Sequence, residues 1–310
     1  MKTIVKYIRT HLKEDYNTST YLIFILFLSV FISINHATDL AVNFLSNTIN
    51  TPLLVVSYFL FFGFAYYATI AIIVFTKSDY SFIKSRGFWF TSIFAILLVS
   101  LRLGFLEHYK WIYENTAPEK AFFYIKIATR AMRTLIFSFG ILFFYYFFEK
   151  YNTNFYGFST KKLSWKPYFL LLLFVIPVII IASFQPSFLS QYPSIGYTGN
   201  TINKMNALAI YEAVYLLDFI SIEWFFRGFL VLSMIKILGS KSILPMVALY
   251  VFFHIGKPTG EIIGSIFGGY LLGIISLHSK SIIGGIIIHI GVAFLMDFMA
   301  IIQKLDIYYR

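Results

Sequence analysis

The 310-residue sequence contains no cysteine. Disulfides, thiol catalysis and thiolate metal ligands are thereby excluded, any metal would have to be held by His, Asp or Glu, and the redox compartment cannot be read. Charge is scarce: 13% of residues are Asp, Glu, Lys or Arg, against about 25% in a soluble domain. Acids are the rarer sign, 14 against 25 Lys and Arg, for a formal net charge of +11. Internal repeats, low-complexity tracts and Pro/Gly-rich linkers are also missing. What the chain does have is apolar surface, with 59% hydrophobic residues and a mean hydropathy of +0.76. This is the composition of a polytopic membrane protein.

A membrane helix needs about 20 mainly apolar residues, and candidate runs fall at 21–34, 52–76, 88–105, 121–148, 167–184, 207–235, 242–255, 262–277 and 282–302. The expected fold is therefore all-α, a bundle of about eight to nine transmembrane helices. The runs 242–255 and 262–277 look short, and the breaker Gly256-Lys-Pro-Thr-Gly260 separates them. A polar stretch, 185–206, divides N-terminal helices (21–184) from a C-terminal core (207–302), with a leading segment (1–20) and a tail (303–310). In the leading segment, Ile4, Ile8 and Leu12 recur at helical spacing among Lys2, Lys6, Arg9 and Lys13. That suits an amphipathic helix on an anionic membrane surface, with a solvated basic tail as the equal alternative. The polar lead is too long, and a small-x-small site too unclear, for a cleaved signal peptide.

Of the 25 basic residues, 14 fall in loops on the side of the N-terminus, 6 on the opposite side and 5 at membrane depth. Positive charge marks the cytoplasmic side, so the expectation is a multi-pass plasma-membrane protein with a cytoplasmic N-terminus. Nucleic acid is not an expected partner, because the charge is spread over short loops instead of gathered on one surface. Membrane lipids and a peptide or protein substrate are. The membrane-depth cations are Arg102, Lys126, Arg130, Arg133 and Arg227. Lys126, Arg130 and Arg133 form one helical stripe, read either as a wall for a substrate carboxylate or phosphate or as a snorkelling, solvated face.

The stretch Ser221-Ile-Glu-Trp-Phe-Phe-Arg-Gly-Phe-Leu230 places one acid and one guanidinium in an otherwise apolar and aromatic run. On a helix Glu223 and Arg227 share a face as an i, i+4 pair with the favourable orientation. An ionisable group in lipid costs roughly 2.5–3.5 kcal/mol and so turns toward partners or a wet cavity. Two histidines, His254 and His289, lie in later apolar runs, and Tyr250, one turn before His254, projects the same way. The remaining histidines read as interfacial (His36, His108) or loop-side (His278). A carboxylate and a histidine can activate water, and a second histidine can donate to the oxyanion of a peptide carbonyl. Alternatively, Glu223, His254 and His289 could hold a divalent metal such as zinc. Spacing does not choose between these, nor does it exclude that the histidines and the ion pair merely join helices.

Four segments together carry a family resemblance: Ile222-Glu-Trp-Phe-Phe-Arg-Gly-Phe-Leu230, Phe252-Phe-His-Ile-Gly-Lys-Pro258, Phe267-Gly-Gly-Tyr-Leu-Leu-Gly273 and Ile286-Ile-Ile-His-Ile-Gly291. In order, spacing and flanking residues this third of the chain resembles the CPBP family of CAAX prenyl proteases and bacteriocin-processing or bacteriocin-immunity (Abi) proteins. The family pattern is Glu-Glu-x-x-x-Arg, Phe-x-x-x-His and His-x-x-x-Asn. The resemblance implies an intramembrane endopeptidase with Glu223, Arg227, His254 and His289 as its site. Glu223 and His254 would activate water, and His289 would stabilise the oxyanion. Three positions depart from the pattern: Ile222 stands for the first glutamate, Tyr250 for the phenylalanine and Ala293 for the final polar residue. Asp218, Glu261 and Asp297 are the acids that could compensate, with Tyr250 in support. The alternatives are a catalytically impaired relative acting as a bacteriocin-immunity or scaffold protein, and a solute transporter, for which the usual inverted repeat is missing.

Overall fold

The computed structural model describes residues 2–46, 51–150, 154–160, 165–196 and 204–309, so Lys161, Lys162 and Arg310 of the charge pattern and part of the polar stretch 185–206 lie outside the described residues. Fourteen α-helices follow one another: α1 Lys2–Asp15, α2 Thr18–Thr38, α3 Leu40–Ser46, α4 Thr51–Lys77, α5 Arg86–Gly104, α6 Glu107–Asn115, α7 Pro118–Phe144, α8 Lys166–Ala182, α9 Pro186–Gln191, α10 Lys204–Glu223, α11 Ile235–Leu238, α12 Ile243–Phe253, α13 Thr259–Ser279 and α14 Ile283–Tyr309. A π-helical segment, Trp224–Ser233, continues α10. No strand occurs among the described residues. The protein is an all-α, multi-pass membrane bundle.

Each of the nine apolar runs is helical. Seven helical stretches are long and apolar enough to cross a membrane; one of them, Asn206–Phe253, contains two of the expected runs, and Lys166–Ala182 is a shorter apolar helix. Local chemistry sets the ends. Asn17 caps α2 by accepting a 3.0 Å bond from the Thr20 N–H, and Pro118 opens α7, where its missing N–H has no helical partner to lose. The brevity expected of 262–277 is not found. After the Gly256 turn at φ +92°, Pro258 caps a helix of 21 residues. By contrast α12 has only 11 residues, about 16 Å at 1.5 Å per residue, well short of a ~30 Å hydrocarbon layer.

That short helix is tolerated because it never meets lipid. Every residue of Trp224–Ser233 and all of α12 up to Phe252 are buried. These two segments form the centre of the bundle, and the long helices wall them in, with α4 against α5 and α12, α13 against α12, α7 against α10, and α8 against α14. One apolar core runs from Phe24 to Ala293 across both halves of the chain. The outer surface is hydrophobic as well, for example at Phe75, 84% exposed, and Ile181, 69% exposed. Apolar exposure on that scale suits acyl chains and not water.

Helix α1 spans the basic leading segment. It is docked on protein, with Ile4 against Tyr168, Leu272, Ile275 and Ile288. Buried Asp15 pairs with Lys77 of α4 at 2.7 Å. Tyr21 of α2 donates to Asp15 at 3.2 Å and lies 2.9 Å from the Tyr270 hydroxyl of α13. His11 is fully buried among these groups, edge-on to Tyr270 and to His278. Burial lowers its pKa from 6.5 to about 4, against the opposing pull of Asp15.

The sign of the linkage follows. Between pH 6.5 and about 4 the unfolded chain binds a proton at His11 that the docked chain refuses, so this contribution to docking is complete above pH 6.5 and declines as the pH falls toward 4. Amide exchange over residues 2–15, corrected for intrinsic rates, is expected to be faster at pH 5 than at pH 7 in the wild type, and His11→Gln should remove the difference. Equal protection at the two pH values would contradict this.

Candidate active site

Three helices bring the central polar groups together. Glu223 ends α10 and Arg227 lies one turn on in the π-helical segment, a widened geometry that recurs at functional sites. Both are fully buried, with Arg227 Nη1 2.9 Å from Glu223 Oε1. The guanidinium also lies 4.4 Å above the ring of Tyr250 from α12. From α14, His289 Nδ1 approaches the same Glu223 Oε1 at 2.8 Å. The Tyr250 hydroxyl is 3.4 Å from His289 Nε2, and the Phe219 ring lies 4.4 Å from the imidazole. His254 Nδ1 sits 2.8 Å from the Tyr250 carbonyl, with its ring 4.4 Å from the Tyr250 ring.

These partners fix the tautomers. A carbonyl oxygen only accepts, so His254 carries its proton on Nδ1; the Glu223 carboxylate requires the same of His289. In the neutral form of each ring the lone pair is then on Nε2. Glu223 Oε1 serves Arg227 and His289 together, whereas Oε2 is buried without a hydrogen-bond partner. The carboxylate reaches this place because α14 presents Gly285 to it: a Cβ there would lie 2.3 Å from Oε2. Sequence reasoning missed Gly285 and Phe219. The Gly284-Gly285 pair one turn before His289 was the available signal for a close helix approach.

The expected Glu223–His254 partnership is not what forms. Glu223 meets His289, and His254 joins the cluster through Tyr250. The three acids expected to compensate for Ile222 are engaged elsewhere. Asp218 accepts from Arg102 at 2.7 and 2.9 Å and from Thr134 at 2.9 Å. Asp297 accepts from the Ser194 N–H at 3.0 Å and its hydroxyl at 2.8 Å. Glu261 accepts from the Tyr192 hydroxyl at 2.8 Å and faces Lys257 at 3.6 Å. Each is on the expected helix, but its nearest neighbours belong to other elements. Ile222 itself is buried in the apolar core.

The proposed ligand set Glu223, His254 and His289 does not fit a metal. Among the described residues no three His, Asp or Glu side chains cluster as a cradle. The basic stripe also faces protein, not lipid. Arg130 lies 4.6 Å over Tyr215 and donates to the Tyr211 hydroxyl, while Lys126 Nζ is 3.4 Å from the Ser194 carbonyl.

Residues 204–295 match the family model described as type II CAAX prenyl endopeptidase Rce1-like, in agreement with the resemblance carried by the four sequence segments. The match runs from α10 into α14 and contains Glu223, Arg227, Tyr250, His254 and His289. No curated protein and no solved structure matches the chain.

Three substitutions separate the site from its support. Gly285→Ala should lower stability by about 1–3 kcal/mol through overpacking against Glu223, whereas Gly268→Ala, with nothing within 4 Å of the new Cβ, should be neutral or stabilising in the same unfolding measurement. Arg102→Ala leaves the buried Asp218 carboxylate with partners such as Thr134 and the 3.6 Å contact to Arg130 and should cost about 2–3 kcal/mol, below the full penalty of an unpaired buried charge; a loss below 1 kcal/mol in urea or thermal unfolding would show that the pair is not the anchor described.

Proposed function

We propose that the protein is an intramembrane endopeptidase of the CAAX type that hydrolyses a peptide bond near the bilayer surface, with His289 and Glu223 as the water-activating pair. The observation that carries this reading is the 2.8 Å contact from His289 Nδ1 to a carboxylate oxygen that Arg227 also holds. An imidazole backed by a fixed carboxylate gains more from taking a proton than one backed by a carbonyl, which favours His289 over His254 as the base.

In the proposed reaction water attacks the peptide carbonyl carbon while His289 Nε2 takes its proton. The Tyr250 hydroxyl, only loosely held at 3.4 Å, turns to donate to the oxyanion that develops. His289 then returns the proton to the leaving amine as the carbon–nitrogen bond breaks. Glu223 stabilises the transient imidazolium, Arg227 holds Glu223, and His254 positions Tyr250 through the ring contact. The charge asymmetry of the loops supports a cytoplasmic N-terminus in the plasma membrane. A second reading is favoured by the buried isoleucine at position 222: a non-catalytic relative that binds a peptide or a membrane protein, as an immunity or scaffold protein would.

A co-expressed prenylated CAAX peptide separates the two. Glu223→Gln and His289→Ala should each reduce cleavage at least about 10²-fold while the protein still accumulates in the membrane. Wild-type cleavage in both variants, or none in the wild type, would leave the binding role as the better account.

A further inference from the structure

Helix α1 has two faces that the docking separates. At 3.6 residues per turn, Lys2, Lys6, Arg9 and Lys13 project within an arc of about 60°. Ile4, His11 and Asp15, the residues α1 buries, point roughly the opposite way. All four cations are exposed, and none forms an ion pair among the described residues. Glu14 is also exposed but lies off this arc, and Asp15 is neutralised from the inside by Lys77.

The position of this face narrows the choice of occupant. Helix α1 touches Lys77, the last residue of the spanning helix α4, and His278, near the end of the spanning helix α13; Ser240 lies 3.4 Å from Asp15. It therefore crosses the end of the bundle where spans leave the membrane, at the depth of lipid headgroups. Of its apolar residues Ile4 is used against protein, while Val5 and Leu12 remain exposed beside the basic face.

We propose that the basic face of α1 is a binding site for anionic phospholipid headgroups, selected by charge. Such binding weakens with salt, because the screening length falls from about 10 Å at 0.1 M to about 3 Å at 1 M. This inference is independent of the proposed peptidase activity.

The test uses the purified full-length protein in a neutral maltoside detergent, titrated with dioleoylphosphatidylglycerol or dioleoylphosphatidylcholine. Lipid retention is followed by native mass spectrometry and stability by the unfolding midpoint. The wild type should retain the anionic lipid at least tenfold more tightly than the zwitterionic one, and should lose most of that preference on going from about 0.05 to 0.5 M salt. The combined variant K2Q/K6Q/R9Q/K13Q should lose the preference while keeping the lipid-free unfolding midpoint, and K2R/K6R/K13R should keep both. No preference in the wild type, an unchanged preference in the glutamine variant, or equal stabilisation by inorganic phosphate at the same concentration would overturn the proposal. So would tighter binding of a polyglutamate peptide, which would point to a protein partner.

Discussion

The structure is arranged around one shared oxygen. Glu223 Oε1 is held by Arg227 from its own helical stretch and by His289 from α14, all within an interior from which the ion pair is wholly excluded from solvent. Taking both charges out of water is costly, and the attraction between them offsets that only when geometry and further hydrogen bonds are good. The surroundings supply the geometry, with the Tyr250 ring under the guanidinium, His289 on Oε1, a glycine where α14 passes the carboxylate and a buried shell over Trp224–Ser233 and α12 up to Phe252, whereas Glu223 Oε2 and the Arg227 nitrogens have no hydrogen-bond partner among the described residues. The short central helix and the long outer helices are consequences of keeping that pair away from lipid.

A second ion pair sits on the same helix and serves a different purpose. Asp218, five residues before Glu223, points to α5 and α7, where Arg102, Thr134 and Arg130 receive it. Five residues on a helix is about 140° of rotation, so the two acids face different neighbours and cannot share the histidines. The chain thereby separates a carboxylate that joins helices from one placed beside imidazoles. With Glu261 tied to Tyr192 and Asp297 to Ser194, Glu223 is the only acid of the four left to the central cluster. Ile222 is therefore not replaced by a neighbouring acid, and one carboxylate stands beside one imidazole at the centre.

At the periphery the same economy of charge applies. The only acid α1 buries is matched by Lys77, and its buried histidine is kept neutral by desolvation. Its lysines and arginine are all turned outward. The helix links α2, α4 and α13 at one end of the bundle through Tyr21 and Tyr270, and Gly269, the residue before Tyr270, abuts the Tyr250 ring of the central cluster. The basic end and the central cluster are thus joined by one helix, α13.

Much of this was legible in the chain. A run of some 20 apolar residues has few stable choices in lipid, so all nine runs became helices, and the i, i+4 spacing of Glu223 and Arg227 sufficed to pair them because a helix fixes that distance locally. The four motif segments likewise marked the region matched at 204–295. What the sequence could not decide was which groups meet across helices. Periodicity assigns a side chain to a face, but the distance between faces depends on crossing angles, on small residues such as Gly285 and on the volume of intervening rings. For that reason the pairing of Glu223 with His289 instead of His254, the capture of Asp218 by Arg102, the absence of a three-ligand cradle among the described residues and the docking of α1 were settled only by tertiary packing.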